Sequence, residues 1–233
     1  MGGKSTGIFK SLNYGPGSSD RKKNVLKNLK TVGNKIKSNS KKIILLNQVH
    51  GNKFCYINKN SKPNNNKLEG DALVTDKRNV PVAVLTADCA PILMYDENTR
   101  MIAAIHVGWK GAYKDIIKKV VKFMIKKGCS PKNITTAIGP CISVNNYEVR
   151  HNFIKKFIKK DRNNKKFFKK TKNKNYFNLN KYIYFQLKSL NIKKIDVINK
   201  DTFNIKNNFF SARRSIGRNE NDYGRNISII MIN

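Results

Sequence analysis

Between Asp71 and Val107 the chain reads Ala72-Leu73-Val74-Thr75, Val80-Pro81-Val82-Ala83-Val84-Leu85, Pro91-Ile92-Leu93-Met94-Tyr95 and Met101-Ile102-Ala103-Ala104-Ile105. The runs are short and apolar, and polar, turn-forming residues separate them, so they predict four buried strands. Immediately downstream, Ile116, Ile117, Val120, Val121 and Met124 recur at helical spacing within Asp115 to Lys127. Gly128 follows where a C-terminal glycine cap belongs. Strands followed by an amphipathic helix predict an α/β fold.

Other segments extend this pattern. Val25, Leu29, Val32 and Ile36 predict a helix over 20–37, with Asp20 as its N-terminal acid. Strands are expected at Ile43–Leu46, Lys53–Ile57, Ile195–Ile198 and Ile227–Ile232, and a strand-to-turn unit at Ile134–Cys141. Further helices are expected at Glu148–Lys159 and around Leu179–Leu190. Asn58–Gly70 is polar and reads as a loop. Asp161–Lys174, nearly all Lys and Asn around Phe167-Phe168, has the composition of a mobile surface excursion. Neither a repeat nor a divisible linker is evident, so a single α/β domain over 1–233 is expected.

The formal net charge is +34, but only 9 of the 48 basic residues are arginine. The lysines are dispersed and accompanied by many asparagines and isoleucines, which points to solvated surface charge rather than one nucleic-acid face. A basic RNA-binding protein is the non-enzymatic alternative; the scarcity of arginine, the residue of bidentate base contacts, weighs against it. No apolar run is long enough for a membrane helix, and no secretory h-region follows Met1. Cytoplasmic location and reduced thiols at Cys55, Cys89, Cys129 and Cys141 are the expectation.

Three scarce residues end apolar runs: His50 in Gln48-Val49-His50-Gly51, Cys89 in Ala87-Asp88-Cys89-Ala90, and His106 in Ile105-His106-Val107-Gly108. Two imidazoles and a thiolate suit zinc, leaving a fourth position for water or substrate. The spacing excludes a finger-type site, whose ligands come in close pairs. Two other readings stay open on pattern alone: hydrogen-bonded core residues, or a Cys89 nucleophile with His106 as base. In either functional case Asp88 could orient an imidazole. Gly108-Trp109-Lys110-Gly111 precedes the best helix and could admit an anion to backbone N–H groups. Arg213-Arg214 beside Phe209-Phe210 suits a phosphate or ribose contact or, equally, a salt bridge. Cys141, in a tight turn, is either pocket wall or buried apolar filler.

Taken in order, Gln48-Val49-His50-Gly51, Asp71-Ala72-Leu73-Val74-Thr75, Thr86-Ala87-Asp88-Cys89, His106 to Gly111, Ile138-Gly139-Pro140-Cys141-Ile142 and Phe210 to Arg214 resemble one family. This is the YfiH-like purine nucleoside phosphorylase family, formerly called multicopper polyphenol oxidase or laccase-domain proteins. The resemblance covers nearly the whole chain and implies a layered α/β/β/α domain with a zinc site at His50, Cys89 and His106. It implies cleavage of adenosine, inosine and methylthioadenosine by phosphate to free base and pentose 1-phosphate, with adenosine deamination as a second activity. Cys89, Asp88 and His106 would be catalytic; Ser11, Asn13, Lys30, Arg213, Arg214 and Cys141 would contact substrate. In this family an Asn-Arg pair is usual in the first helix, where this chain has Asn28-Leu29-Lys30, so Lys30 would supply the charge there. The older family name implies the rival reading, copper-dependent phenol oxidation.

Overall fold

The structure is a computed structural model that describes residues 2–58, 61 and 68–233. Its strands are β1 (Phe54–Ile57), β2 (Ala72–Thr75), β3 (Val82–Thr86), β4 (Ala90–Asp96), β5 (Ile102–Val107), β6 (Ile134–Ile138), β7 (Glu148–Val149), β8 (Phe168–Thr171), β9 (Lys174–Phe177), β10 (Lys194–Val197) and β11 (Asn226–Ile230). The α-helices are α1 (Lys22–Lys35), α2 (Trp109–Tyr113), α3 (Ile116–Lys126), α4 (His151–Lys160), α5 (Leu179–Ser189) and α6 (Ala212–Gly217).

Six strands form a mixed sheet in the order β1-β2-β5-β4-β6-β10. The outer pairs β1–β2 and β6–β10 are parallel, and the pairs between them are antiparallel. Because successive side chains of a strand point to opposite faces, β5 splits its residues between two cores. Ala103, Ile105 and Val107 meet Ile116, Val120 and Met124 of α3 and Ile183 and Leu187 of α5. Ile102 and Ala104 meet Val82 and Val84 of β3 with Ile44, Leu46 and Ile232. The antiparallel β3–β11 ribbon therefore lies as a second sheet on the face away from α3 and α5. All six residues of β5 are buried.

All four strands of the 71–107 core form where their sequence puts them, and the fold is mixed α/β with stacked sheets as expected. Gly128 ends α3 at φ +95°, a conformation that glycine adopts without strain. Ile43–Leu46 differs from expectation: Ile43, Ile44 and Leu46 are buried, but the segment makes only an isolated bridge, Ile44 to Val82. Beyond it the Gln48 side chain acts in place of a backbone, donating to Leu85 O at 2.8 Å and accepting from Leu85 N at 2.7 Å. Glu148 and Val149 are strand rather than helix, because they pair with Tyr176 and Asn175. Asp20 does not cap α1; its carboxylate accepts from Ser5 Oγ and Asn13 Nδ2. Most of the expected 58–70 loop lies outside the described residues.

Asp161–Lys174 is ordered, contrary to its composition. A 3-10 turn (Arg162–Phe167) leads into the β8–β9 hairpin, and Phe167 is buried against Tyr182 and Phe185. Phe153, Phe157, Phe168 and Phe177 join it in one aromatic cluster. Two phenylalanines outweigh the surrounding lysines, since ring burial anchors the segment while the lysine heads stay in water.

Candidate metal centre and its cavity

Three separate elements deliver the centre. His106 is near the end of β5; alternation places it on the face shared with Ala104, between the two sheets. Cys89 immediately precedes β4, and His50 follows the segment that Gln48 fastens to β3. The ligand atoms of His50, Cys89 and His106 lie within 4.8 Å of one another. The two imidazole rings are 4.7 Å apart and nearly perpendicular. His106 is 3% exposed, Cys89 is half-buried and His50 faces solvent, so the cluster opens on one side.

Asp71 organises the cluster. It is fully buried at the head of β2, with Oδ1 at 2.8 Å from His106 Nδ1. It also accepts the backbone N–H of His50 at 2.9 Å and of Gly51 at 2.6 Å. The bond at His106 Nδ1 leaves Nε2 of that ring for a metal, the carboxylate–histidine pairing common at zinc sites. His50 stands at φ +56°, a left-handed conformation disfavoured for residues with a β-carbon, and its bond to Asp71 holds it there. Asp71 was expected only as a motif residue. The imidazole-orienting role expected of Asp88 belongs to Asp71. Both Asp88 oxygens are engaged elsewhere, by Thr202 Oγ1 at 2.6 Å and Arg213 N at 2.7 Å.

The charges reinforce one another. Burial works against a Cys89 thiolate, but the imidazoles of His106 and His50 outweigh it and bring the thiol down to about 6. Burial likewise opposes a charged His106, yet the Cys89 thiolate and Asp71 carboxylate raise it to about 9. Burial also works against Asp71, whose carboxyl the bond to His106 and the N–H groups of Gly51 and His50 hold below its ordinary value. A thiolate with two imidazoles, one fixed by a buried carboxylate, is a donor set that fits zinc or a similar soft-to-borderline metal.

The glycines of the 108–111 turn make room for the cluster. A β-carbon on Gly108 would stand 2.9 Å from Cys89 Sγ and 3.3 Å from His50 Cδ2; one on Gly111 would stand 2.9 Å from Gly51 O. The helix they open, α2, is a separate five-residue helix ahead of α3.

The cluster forms part of the wall of a cavity of about 520 Å³, with Leu45, Leu46, Leu85 and Ala87 as apolar lining and Gly15, Gly17, Tyr223 and Arg225 across from them in the chain. Several expected substrate contacts lie elsewhere. Arg214 gives its guanidinium to the carbonyls of Thr202, Phe203 and Phe209. Arg213 bonds Glu148 O and lies over the Tyr147 ring. Ser11 accepts from the Gly2 and Gly3 N–H groups and lines a different cavity with Arg214. Asn13 is fully buried and bonds Gly15, Ser18, Asp20 and Arg225, so it braces the cavity wall from behind. Cys141 is buried and bonds Asn180 Oδ1 at 3.1 Å; burial, reinforced by Cys89 and Asp88, pushes its thiol up. Lys30 is exposed on a groove with Asn34 and Lys37 that shares no lining residue with the metal cavity. Arg225 and Tyr223 escaped the sequence reading. Their signal was the late Tyr223-Gly224-Arg225 triplet, in which Gly224 must be small because a β-carbon would meet the Phe210 ring at 2.4 Å.

All four cysteines are free, and among the described residues no helix is long and apolar enough to cross a membrane. Comparison with known proteins gives one consistent grouping. The family model described as "Multi-copper polyphenol oxidoreductase laccase" matches residues 1–233. A purine nucleoside phosphorylase of Rickettsia prowazekii (strain Madrid E) is 34% identical over 195 residues, covering 82% of this chain and 78% of the relative. Another from Rickettsia conorii is 36% identical over 189 residues, covering 79% and 75%. Among solved structures, the Bacillus licheniformis hypothetical protein YfiH superposes with TM-score 0.91 at 27% identity, over 100% of this chain and 90% of its own. With relatives that agree across its length and a fold to match, the chain belongs to the multi-copper polyphenol oxidoreductase laccase family, the group that includes YfiH.

Proposed function

We propose that this protein is a zinc-dependent purine nucleoside phosphorylase, acting on adenosine, inosine and methylthioadenosine, with adenosine deamination as a second activity. The observation that carries this reading is the position of His50, Cys89 and His106 in the wall of a cavity of about 520 Å³, a size suited to a nucleoside. The relatives named purine nucleoside phosphorylase support the same substrate class.

The residues divide the work. Cys89 and the two histidines hold the metal, which when bound supplies Lewis acidity and lowers the pKa of its water to about 7. Asp71 keeps His106 in the tautomer that presents Nε2. Leu45, Leu46, Leu85 and Ala87 offer an apolar wall that would exclude water around the glycosidic bond. In phosphorolysis a phosphate oxygen bonds to the ribose carbon as its bond to the base nitrogen breaks, and a proton returns to the base. Asp88 contributes by tying Thr202 and the start of α6 to the turn before β4 that carries Cys89. Against copper-dependent phenol oxidation stands the donor inventory. Among the described residues one three-donor cluster is present, whereas a laccase needs several coppers.

Incubation of the purified, metal-analysed protein with adenosine, with and without phosphate, tests the proposal. Adenine and ribose 1-phosphate mark phosphorolysis, and inosine marks deamination. Stoichiometric copper with oxygen uptake on phenols would favour the rival. Full zinc content and full turnover in Cys89→Ala would sink the metal-centred model.

A further inference from the structure

A phosphorylase must hold an anionic co-substrate in the same cavity as the nucleoside, since the phosphate oxygen has to reach the ribose carbon. Among the described residues lining the metal cavity, Arg225 is the one side chain that carries a permanent positive charge. The arginine pair at 213–214 is committed to carbonyls and an aromatic face, and Lys30 is on another groove.

Arg225 is held as a binding group would be. Its stem crosses Gly15, where a β-carbon would stand 2.4 Å from Arg225 Cδ, so only glycine leaves it room. Its guanidinium lies over the Tyr223 ring at 4.5 Å, and Nη1 bonds Asp222 Oδ1 at 3.0 Å as well as Tyr223 O. Asp222 is fixed in turn by Ser19 N at 2.7 Å and Ser19 Oγ at 3.1 Å. The backbone N–H of Arg225 donates to Asn13 Oδ1, and the Arg225 carbonyl accepts from the Tyr14 N–H. Nη1 therefore carries the side chain's anchoring, and no bond to Nε or Nη2 is recorded among the described residues. An immobilised guanidinium with one edge uncommitted has the fork geometry that matches phosphate oxygens.

We propose that Arg225, pinned between Gly15, Tyr223 and Asp222, binds the phosphate co-substrate in the metal cavity. This assignment rests on the phosphorylase reading above. It gives this chain a phosphate contact on the strand-entry turn before β11 instead of at the Leu29-Lys30 position of α1.

The test uses the full, metal-loaded chain and two readouts: the phosphate KM in inosine phosphorolysis, and calorimetric titration with inorganic phosphate alone. Loss of one charge-assisted fork raises the phosphate KM and weakens phosphate binding about thirty-fold in Arg225→Gln. The inosine KM changes less than about twofold, because uniform loss of one substrate's contact leaves the other's in place. Arg225→Lys recovers part of the loss. Should Arg225→Gln fail to fold, Gly15→Ala decides: it keeps every charge but displaces the arginine stem, and it too raises the phosphate KM. Unchanged phosphate KM and affinity in a folded variant overturn the proposal. Phosphate binding that depends on Arg225 in a protein without phosphorolysis would sustain the anion site while removing the phosphorylase reading. Absence of both turnover and phosphate binding would remove both.

Discussion

Asp71 is the residue on which the centre's geometry turns. One carboxylate, fully buried, takes the His106 ring and the His50 and Gly51 N–H groups, so it sets both the orientation of one ligand and the backbone of another. In Asp71→Asn the amide cannot serve all three donors as an acceptor, and the pull that favours the metal-binding tautomer is lost. Metal affinity is expected to fall by about 10–100-fold, as read by competition with a chromophoric chelator at pH 7.5. The wild type itself binds metal less tightly as pH falls below about 9, where His106 takes up a proton that the metal must displace, and more steeply below about 6, where Cys89 takes up its own. Affinity unchanged in the variant would show that Asp71 only packs. The three ligands were legible as residue types because each is scarce and ends an apolar run. Asp71 was not, since its partners are 21 and 35 residues away, His50 brought to it beside the Asn47–Glu69 bridge and His106 by the β2–β5 pairing. Asp88 is adjacent to Cys89 in sequence, but its carboxylate is taken by Thr202 and the Arg213 N–H.

Among the elements, the strands of the 71–107 core were readable because apolar runs of their length have few other solutions. The segment Asp161–Lys174 was not, because its composition pointed toward solvent while Phe167 and Phe168 pack inward. Phe167, 1% exposed, packs on Tyr182 and Phe185 of α5, and Phe157 of α4 packs on Tyr182 as well. The hairpin and the turn before it are therefore held by rings rather than by their short ladder. Phe167→Ala should destabilise the protein by about 3–5 kcal/mol, the usual cost of removing a buried ring. Denaturant unfolding measures this, and because Phe167 does not line the His50 cavity, metal stoichiometry stays intact. A loss below about 1 kcal/mol would mean that the segment is held by something other than its aromatic core. The short helix α2 was missed for a related reason: its glycines looked like an anion turn, but they are small so that Cys89, His50 and Gly51 can approach it.

For the molecule as a whole, the largest number in the sequence describes the surface rather than the site. A surplus of 34 positive charges is spread over the chain, while the cavity that would do the chemistry contains a single arginine, already paired with Asp222. Exposed pairs such as Lys53–Glu69, Lys174–Glu148 and Lys194–Glu97 offset little of that surplus, being solvated and weak. Like charges crowd closer in the folded state than in the extended chain, so self-repulsion opposes folding. Salt shortens its reach: the Debye length is about 30 Å at 0.01 M and falls to about 3 Å at 1 M. Raising sodium chloride from low to high concentration should therefore stabilise the fold, by about 2–8 °C in Tm for a gain of about 1–2 kcal/mol at this chain length. Differential scanning calorimetry of the metal-loaded protein at pH 7 checks this, with the metal kept saturating so that ligand linkage stays constant. A Tm that stays level or falls with salt would show that the lysines are already neutralised by local pairing, and that the basic excess does not load the fold.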